Sequence, residues 1–218
     1  MLTAKRIAYS VRLCAYYPLV VNAAANEGRE ALARSAHGDQ AAFARIVRQH
    51  QGMVFSMAYH FLRDRWLAEE LAQEVFLHLH KNLRAIQSPA HLVYWLRKVT
   101  SHRCIDQARR QKLRPRVSLT EYLERAPEPA ASGPAPDPLL ADVLGKLTAR
   151  LPERSRMIVI LRFQEDLEPA EIAEMMGIPL GTVKSNLHRS LALLRARLER
   201  RGAASLGCRS GKQKEMSG

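Results

Sequence analysis

Six polar side chains crowd one short stretch: Thr182, Lys184, Ser185, Asn186, His188 and Arg189. Their chemistry is hydrogen bonding, not bond making. Lys and Arg donate to phosphate or to guanine, Asn pairs with adenine, and Ser and Thr serve either base or backbone. Groups suited to catalysis are missing from the pattern. His78 and His80 are two residues apart and diverge on a helix, as do His102 and Cys104, and no Gly-rich phosphate loop or nucleophile–base pair appears. No enzyme, no metal site and no cofactor is therefore expected.

The elements that must carry those six side chains are legible from 167 to 198. Pro169 suits the first turn of a helix, Ile172, Ala173 and Met176 give that helix an apolar face, and Gly177 supplies the left-handed residue that ends it. Ile178 and Pro179 turn the chain. Val183, Leu187, Leu191, Leu194 and Leu198 then recur at steps of three and four, which predicts a longer helix with these residues inward. The six polar residues fall near its start, where a helix-turn-helix presents side chains to the DNA major groove. Charge changes sign at the turn. Residues 139–174 hold five Lys/Arg against seven Asp/Glu, and residues 175–201 hold six against one, so the second helix is the basic half. Two helices around a glycine fit an ordinary helical hairpin as well as a DNA reader, and other parts of the chain must decide.

The whole chain has 218 residues, a formal charge of +13 and a pI near 10.2, which implies an anionic partner. The surplus is concentrated. Between 81 and 116, Lys81, Arg84, Arg97, Lys98, Arg103, Arg109, Arg110, Lys112, Arg114 and Arg116 face Asp106 alone. Tyr94 and Trp95 precede Arg97 and Lys98, a combination that suits bases stacked out of an opened duplex while phosphates are held electrostatically. Core packing is the stronger reading for Trp95 itself, since Leu92, Val99 and Ile105 share its helix. Just before this run, Phe43, Ile46, Val47, His50, Val54, Met57, Ala58 and Phe61 trace one helix, and Leu67, Leu71, Val75 and Leu79 a second after a break at Asp64. Glu69, Glu70, Gln73 and Glu74 lie on the solvent side of that second helix. Such a face is commonly just solvated. In a protein otherwise so basic it also offers a place for a basic protein partner to dock without competing with nucleic acid.

The remaining segments set the organisation. Residues 117–138 hold five of the eleven prolines and no apolar period, a linker composition. Leu140, Val143, Leu144, Leu147 and Leu151 predict a helix, and ERSRMIVILRF a further one after Pro152, with Arg154 and Arg156 placed for phosphate contact. The reading is all-α: two small helical domains, 39–116 and 139–201, joined by a flexible linker at 117–138, with a loose extension at 1–38 and a disordered tail at 202–218. Cys14, Cys104 and Cys208 are odd in number and far apart, which fits a reducing cytoplasm, and no apolar run is long enough for membrane insertion.

Several stretches resemble bacterial RNA polymerase sigma factors of the extracytoplasmic-function (ECF) type. GIPLGTVKSNLHRSLALLR and LPERSRMIVILRFQEDL are similar to their fourth conserved region, and DRWLAEELAQEVFLHLHKNL and YWLRKVTSHRCIDQARRQ to their second. The resemblance covers about 41–112 and 139–199. It implies that Asp64, Glu69, Glu70, Gln73 and Glu74 bind a coiled-coil clamp of core RNA polymerase. It implies that Lys81, Arg84, Tyr94, Trp95, Arg97, Lys98, His102, Arg103, Arg109 and Arg110 melt and hold the minus-ten promoter element. Arg154, Arg156 and the six residues of 182–189 would contact the minus-thirty-five element. The chain departs from the pattern at Leu92, Tyr94, Ser101, His102 and Asn186, and AIQSPAH at 85–91, where the family holds a flipped-out base, lacks an aromatic residue. These departures touch promoter preference, not fold. An anti-sigma partner is left open. The competing reading is a stand-alone helix-turn-helix regulator, for which the acidic helix and the basic run at 81–116 would have no purpose.

Overall fold

Each helix starts and stops where the local chemistry demands. Asp39 caps α2 (Gln40–Leu62), its carboxylate accepting from Ala42 N at 3.0 Å, and Asp64 caps α3 (Arg65–Asn82) by accepting from Leu67 N at 3.2 Å. Between them Arg63 takes the left-handed conformation, φ 57°, and returns its N–H to Tyr59 O. A 3₁₀ turn, Leu83–Ala85, leads to α4 (Pro89–Leu113), where Ser88 Oγ accepts from His91 N and Pro89 occupies the first helical position. The second half comprises α5 (Pro138–Thr148), α6 (Glu153–Phe163), α7 (Pro169–Met176) and α8 (Leu180–Ser210), and a helix α1 (Tyr17–Ala36) precedes everything. This computed structural model describes the backbone of residues 17–113 and 138–210 and the side chains of residues 27–112 and 143–200. Every regular element among the described residues is helical.

In the first domain α2, α3 and α4 enclose Val54, Met57, Phe61, Val75, Leu79 and Leu96, all fully buried. In the second, α6, α7 and α8 enclose Met157, Ile158, Leu161, Ile172, Met175 and Val183. Removing any of these large side chains would cost about 2–5 kcal/mol through lost transfer and residual cavity. The two cores join into one apolar cluster, because α6 lies against α2 and α4.

Three expectations need correction. The segment 1–38 is not wholly loose: α1 buries Ala31 and Leu32 against the first domain, and Gly28 approaches the Pro89 ring so closely that a Cβ there would meet it at 3.1 Å. α8 runs on to Ser210, past the residue where a disordered tail was expected. Leu191 is 44% exposed, and Ser190 takes the inward place at 2%. At about 100° per residue, eight steps from Val183 drift some 80° off its face, whereas seven steps miss it by only about 20°. Consecutive steps of four each look helical yet accumulate away from the core. The expectations for residues 1–16, for the linker at 114–137 and for 211–218 lie outside the described residues.

Candidate nucleic-acid interface

The turn between α7 and α8 is built as a sharp reversal. Glu171 reaches back to accept from Glu168 N at 2.7 Å, Pro169 opens α7, and Gly177 ends it at φ 62°, ψ 40°, a left-handed geometry that glycine adopts without a Cβ penalty. Thr182 N and Val183 N then donate to Pro179 O, starting α8. With Val183 and Leu187 buried, the opposite side of the first two turns presents Lys184, His188 and Arg189 to solvent, with Thr182 and Ser185 half-buried beside them. Arg189 lies back along its own helix, donating to Ser185 O and Ser185 Oγ, both at 3.2 Å. Asn186 is the exception among the six. Its Oδ1 accepts from Ser155 Oγ at 2.9 Å and its Nδ2 donates to Thr182 O at 2.7 Å, so it braces α8 against α6 and does not point outward.

The two arginines of α6 also separate. Arg154 is exposed on the first turn. Arg156 turns inward, its guanidinium lying over the Phe61 ring at 5.0 Å and donating to the carbonyls of Phe61, Ala149 and Leu151. With its guanidinium engaged by three carbonyls and a ring face, the side chain is not offered to phosphate.

On α3 the acidic residues differ in what they already hold. Asp64 is the helix cap, Glu69 pairs with Arg65 at 2.8 Å, and Glu74 pairs with Arg103 at 2.5 Å, whereas Glu70 and Gln73 are simply exposed. Trp66, 72% exposed, and Leu77, 64% exposed, extend this face at the positions four before Glu70 and four after Gln73. Reading the sequence by charge overlooked both. The signal was available, because each falls off the inward stripe of Leu67, Leu71, Val75 and Leu79.

Helix α4 inserts Leu92, Leu96, Thr100, Ser101, Cys104 and Ile105. Burial pushes the Cys104 thiol far above its ordinary range, leaving an inert core residue. Trp95 is half-buried, its indole edge-on to His78 at 5.3 Å, in keeping with a packing role. Lys98 lies over the Tyr94 ring at 5.7 Å. His102, Arg109 and Arg110 are exposed on the same helix, and Lys81 and Arg84 are exposed ahead of it. Arg109 pairs loosely with Asp106 at 3.6 Å, while Arg97 is engaged by Glu165 of the second domain at 2.9 Å. A groove of about 520 Å³ runs between α3 and α4, lined by Glu70, Glu74, His78, His102, Arg103 and Arg110. No group of three His, Cys, Asp or Glu with metal-binding geometry occurs among the described residues, and no described helix is long and apolar enough to cross a membrane.

A helix-turn-helix with an outward basic start, packed against a three-helix core bearing a cationic helix beside an acidic one, defines a two-domain helical DNA-binding factor. Residues 46–114 match the family described as Sigma-70 region 2, and residues 141–194 match Sigma-70, region 4. The chain is 30% identical over 170 residues to the ECF RNA polymerase sigma factor SigW of Bacillus subtilis, covering 74% of this chain and 91% of that one. It is 33% identical over 169 residues to the ECF sigma factor SigE of Mycolicibacterium smegmatis, covering 73% and 64%. In fold it is similar to the sigma factor RpoE of Bartonella quintana, solved with the anti-sigma factor NepR, at a TM-score of 0.57 and 19% identity over 72% of this chain and 96% of that one. The chain belongs to the sigma-70 family, in its ECF branch, and is a promoter-specific transcription initiation factor that works with RNA polymerase.

Proposed function

We propose that the three surfaces divide the work of initiation. The outward face of α3, with Glu70, Gln73 and Glu74 flanked by Trp66 and Leu77, docks on a cationic, partly apolar surface of core RNA polymerase. The cations of α4 and its approach, Lys81, Arg84, Arg97, Lys98, Arg103, Arg109 and Arg110, hold the backbone of the opened minus-ten strand beside Tyr94 and His102. Lys184, Ser185, His188 and Arg189, with Thr182 and Arg154 at the edge, contact the minus-thirty-five duplex. The observation that carries this reading is the segregation of charge: acid on α3, cations on α4 and at the start of α8. A basic protein partner and DNA can then be held at once without competing. Work at the cytoplasmic polymerase and control by an anti-sigma factor of the kind solved with RpoE both fit the same assignment.

Run-off transcription with core polymerase on promoter fragments tests it. The chain should confer specific initiation only together with core enzyme. Tight, specific binding to a duplex site by the chain alone, with no transcripts from the reconstituted enzyme, would favour a stand-alone regulator.

A further inference from the structure

The approach to α4 is a built turn, not a slack connection. In the loop 85–91, Ser88 Oγ accepts from His91 N at 3.1 Å and His91 Nδ1 accepts from Gln87 N at 3.2 Å, so the two side chains close the start of the helix reciprocally. The pair works as a capping box does, with an imidazole where glutamate or glutamine usually stands and its bond reaching one residue further back. Ile86 N donates to Leu83 O at 3.0 Å, and both of these side chains are buried. From behind, α1 bears on the same turn. Gly28 stands so close to the Pro89 ring that a side chain there would press on it.

These contacts leave one side chain of the loop available for reading. Ser88 and His91 are engaged in the cap, Ile86 is buried, and Ala85, Pro89 and Ala90 are apolar, whereas Gln87 is exposed and both gives and accepts hydrogen bonds. Its neighbours place it beside the strand. Arg84 is exposed three residues before it, and Ala90 lies one helical turn ahead of Tyr94, whose ring carries Lys98. A strand held from Lys81 and Arg84 to Tyr94 and Lys98 has to pass over this loop.

We propose that His91 is a positioning residue for promoter reading: its bond to Gln87 N fixes the turn from which the Gln87 amide reads one base of the opened strand by hydrogen bonds. This rests on the assignment of α4 and its approach to the minus-ten strand. An amide sets a donor beside an acceptor, which matches the edge of an unpaired base and needs no aromatic platform. Discrimination of this kind requires the amide to be held, because a backbone free to swing at residue 87 would accommodate several bases.

The test is a promoter library randomised across the minus-ten element and read by run-off from reconstituted holoenzyme, with core affinity and thermal midpoint measured alongside. Gln87→Ala is expected to flatten base preference at a single minus-ten position on the order of tenfold. His91→Ala flattens the same position on the order of fivefold, the loss of one cap bond, while minus-thirty-five preference and core affinity stay within about twofold of wild type. His91→Gln returns the preference, because glutamine at the third helical position restores the acceptor. If His91→Ala loses helix content, Ser88→Ala removes the other half of the cap and takes its place, with the same flattening expected. A preference left unchanged or lowered uniformly by His91→Ala, or an equal loss in His91→Gln, overturns the positioning role and leaves the side chain a helix cap alone. An unaltered preference in Gln87→Ala overturns reading by this loop. Lys98→Ala with Arg110→Ala then separates the two levels: a fall in promoter opening means that α4 holds the strand and only the loop is misassigned, whereas undiminished opening means that the reading beneath fails too.

Discussion

Trp66 offers the sharpest test of the α3 surface. Its indole is 72% exposed on the first turn of the helix, so Trp66→Ala should change folding stability by no more than about 0.5 kcal/mol. A tryptophan buries up to about 250 Å² when enclosed, so roughly 180 Å² of this one awaits a partner, worth about 4.5 kcal/mol at 25 cal/mol/Å². Ordering of the side chain and of the partner offsets part of that, leaving an expected loss of about 2–4 kcal/mol, the range of an interface hot spot. The affinity for core polymerase should therefore fall by roughly 30- to 700-fold. Fluorescence or surface-based titration of the purified chain against core enzyme measures it, with the thermal midpoint as the folding control. Trp66→Phe should retain most of the affinity. If Trp66→Ala binds within about threefold of wild type, the apolar flank of this face lies outside the interface and the docking surface is not the one described.

Other outcomes follow from single residues. Gly177→Ala should cost about 1 kcal/mol, because φ 62° is left-handed and no atom within 4 Å would contact the added methyl, and the thermal midpoint should drop by about 2–4 °C. Exposed Lys184 is the base-edge candidate, so Lys184→Ala in holoenzyme should relax preference at one upstream position by about 1–3 kcal/mol. Arg189→Ala should weaken all upstream sites alike and lower the salt slope by about one counterion; a promoter library at two salt concentrations reads both, and an unchanged base preference for Lys184→Ala refutes its assignment. Burial holds the His50 imidazole below its ordinary value, so the unfolded chain binds that proton more tightly. The associated stability is complete above about pH 6.5 and declines as pH falls through it toward the folded value. Urea midpoints between pH 7.5 and 5.5 should fall less steeply in His50→Gln; an equal slope removes His50 as the cause.

The elements and most of their inward faces were legible in the chain because they depend on local rules. Pro169, Gly177 and the aspartate at 64 mark helix ends whatever surrounds them, and Ile172, Val75 or Leu92 is buried because helical spacing puts it beside other apolar residues. Surface chemistry at 182–189 and on α3 was likewise readable from residue type, as was the family from the wording of both regions. Tertiary structure alone decided which polar side chains remain available. Asn186 and Arg156 belong to types that read DNA, yet one meets Ser155 and the other the Phe61 carbonyl, partners 31 and 95 residues distant that no local pattern reveals. The exchange of Leu191 for Ser190 has a different, local origin in accumulated helical rotation. Arg97 is a further case: its partner Glu165 lies 68 residues away in the other domain, and only packing of α6 against α2 and α4 brings the charges within hydrogen-bond reach. A side chain's chemistry is local, but whether it is already satisfied depends on what the fold places opposite it.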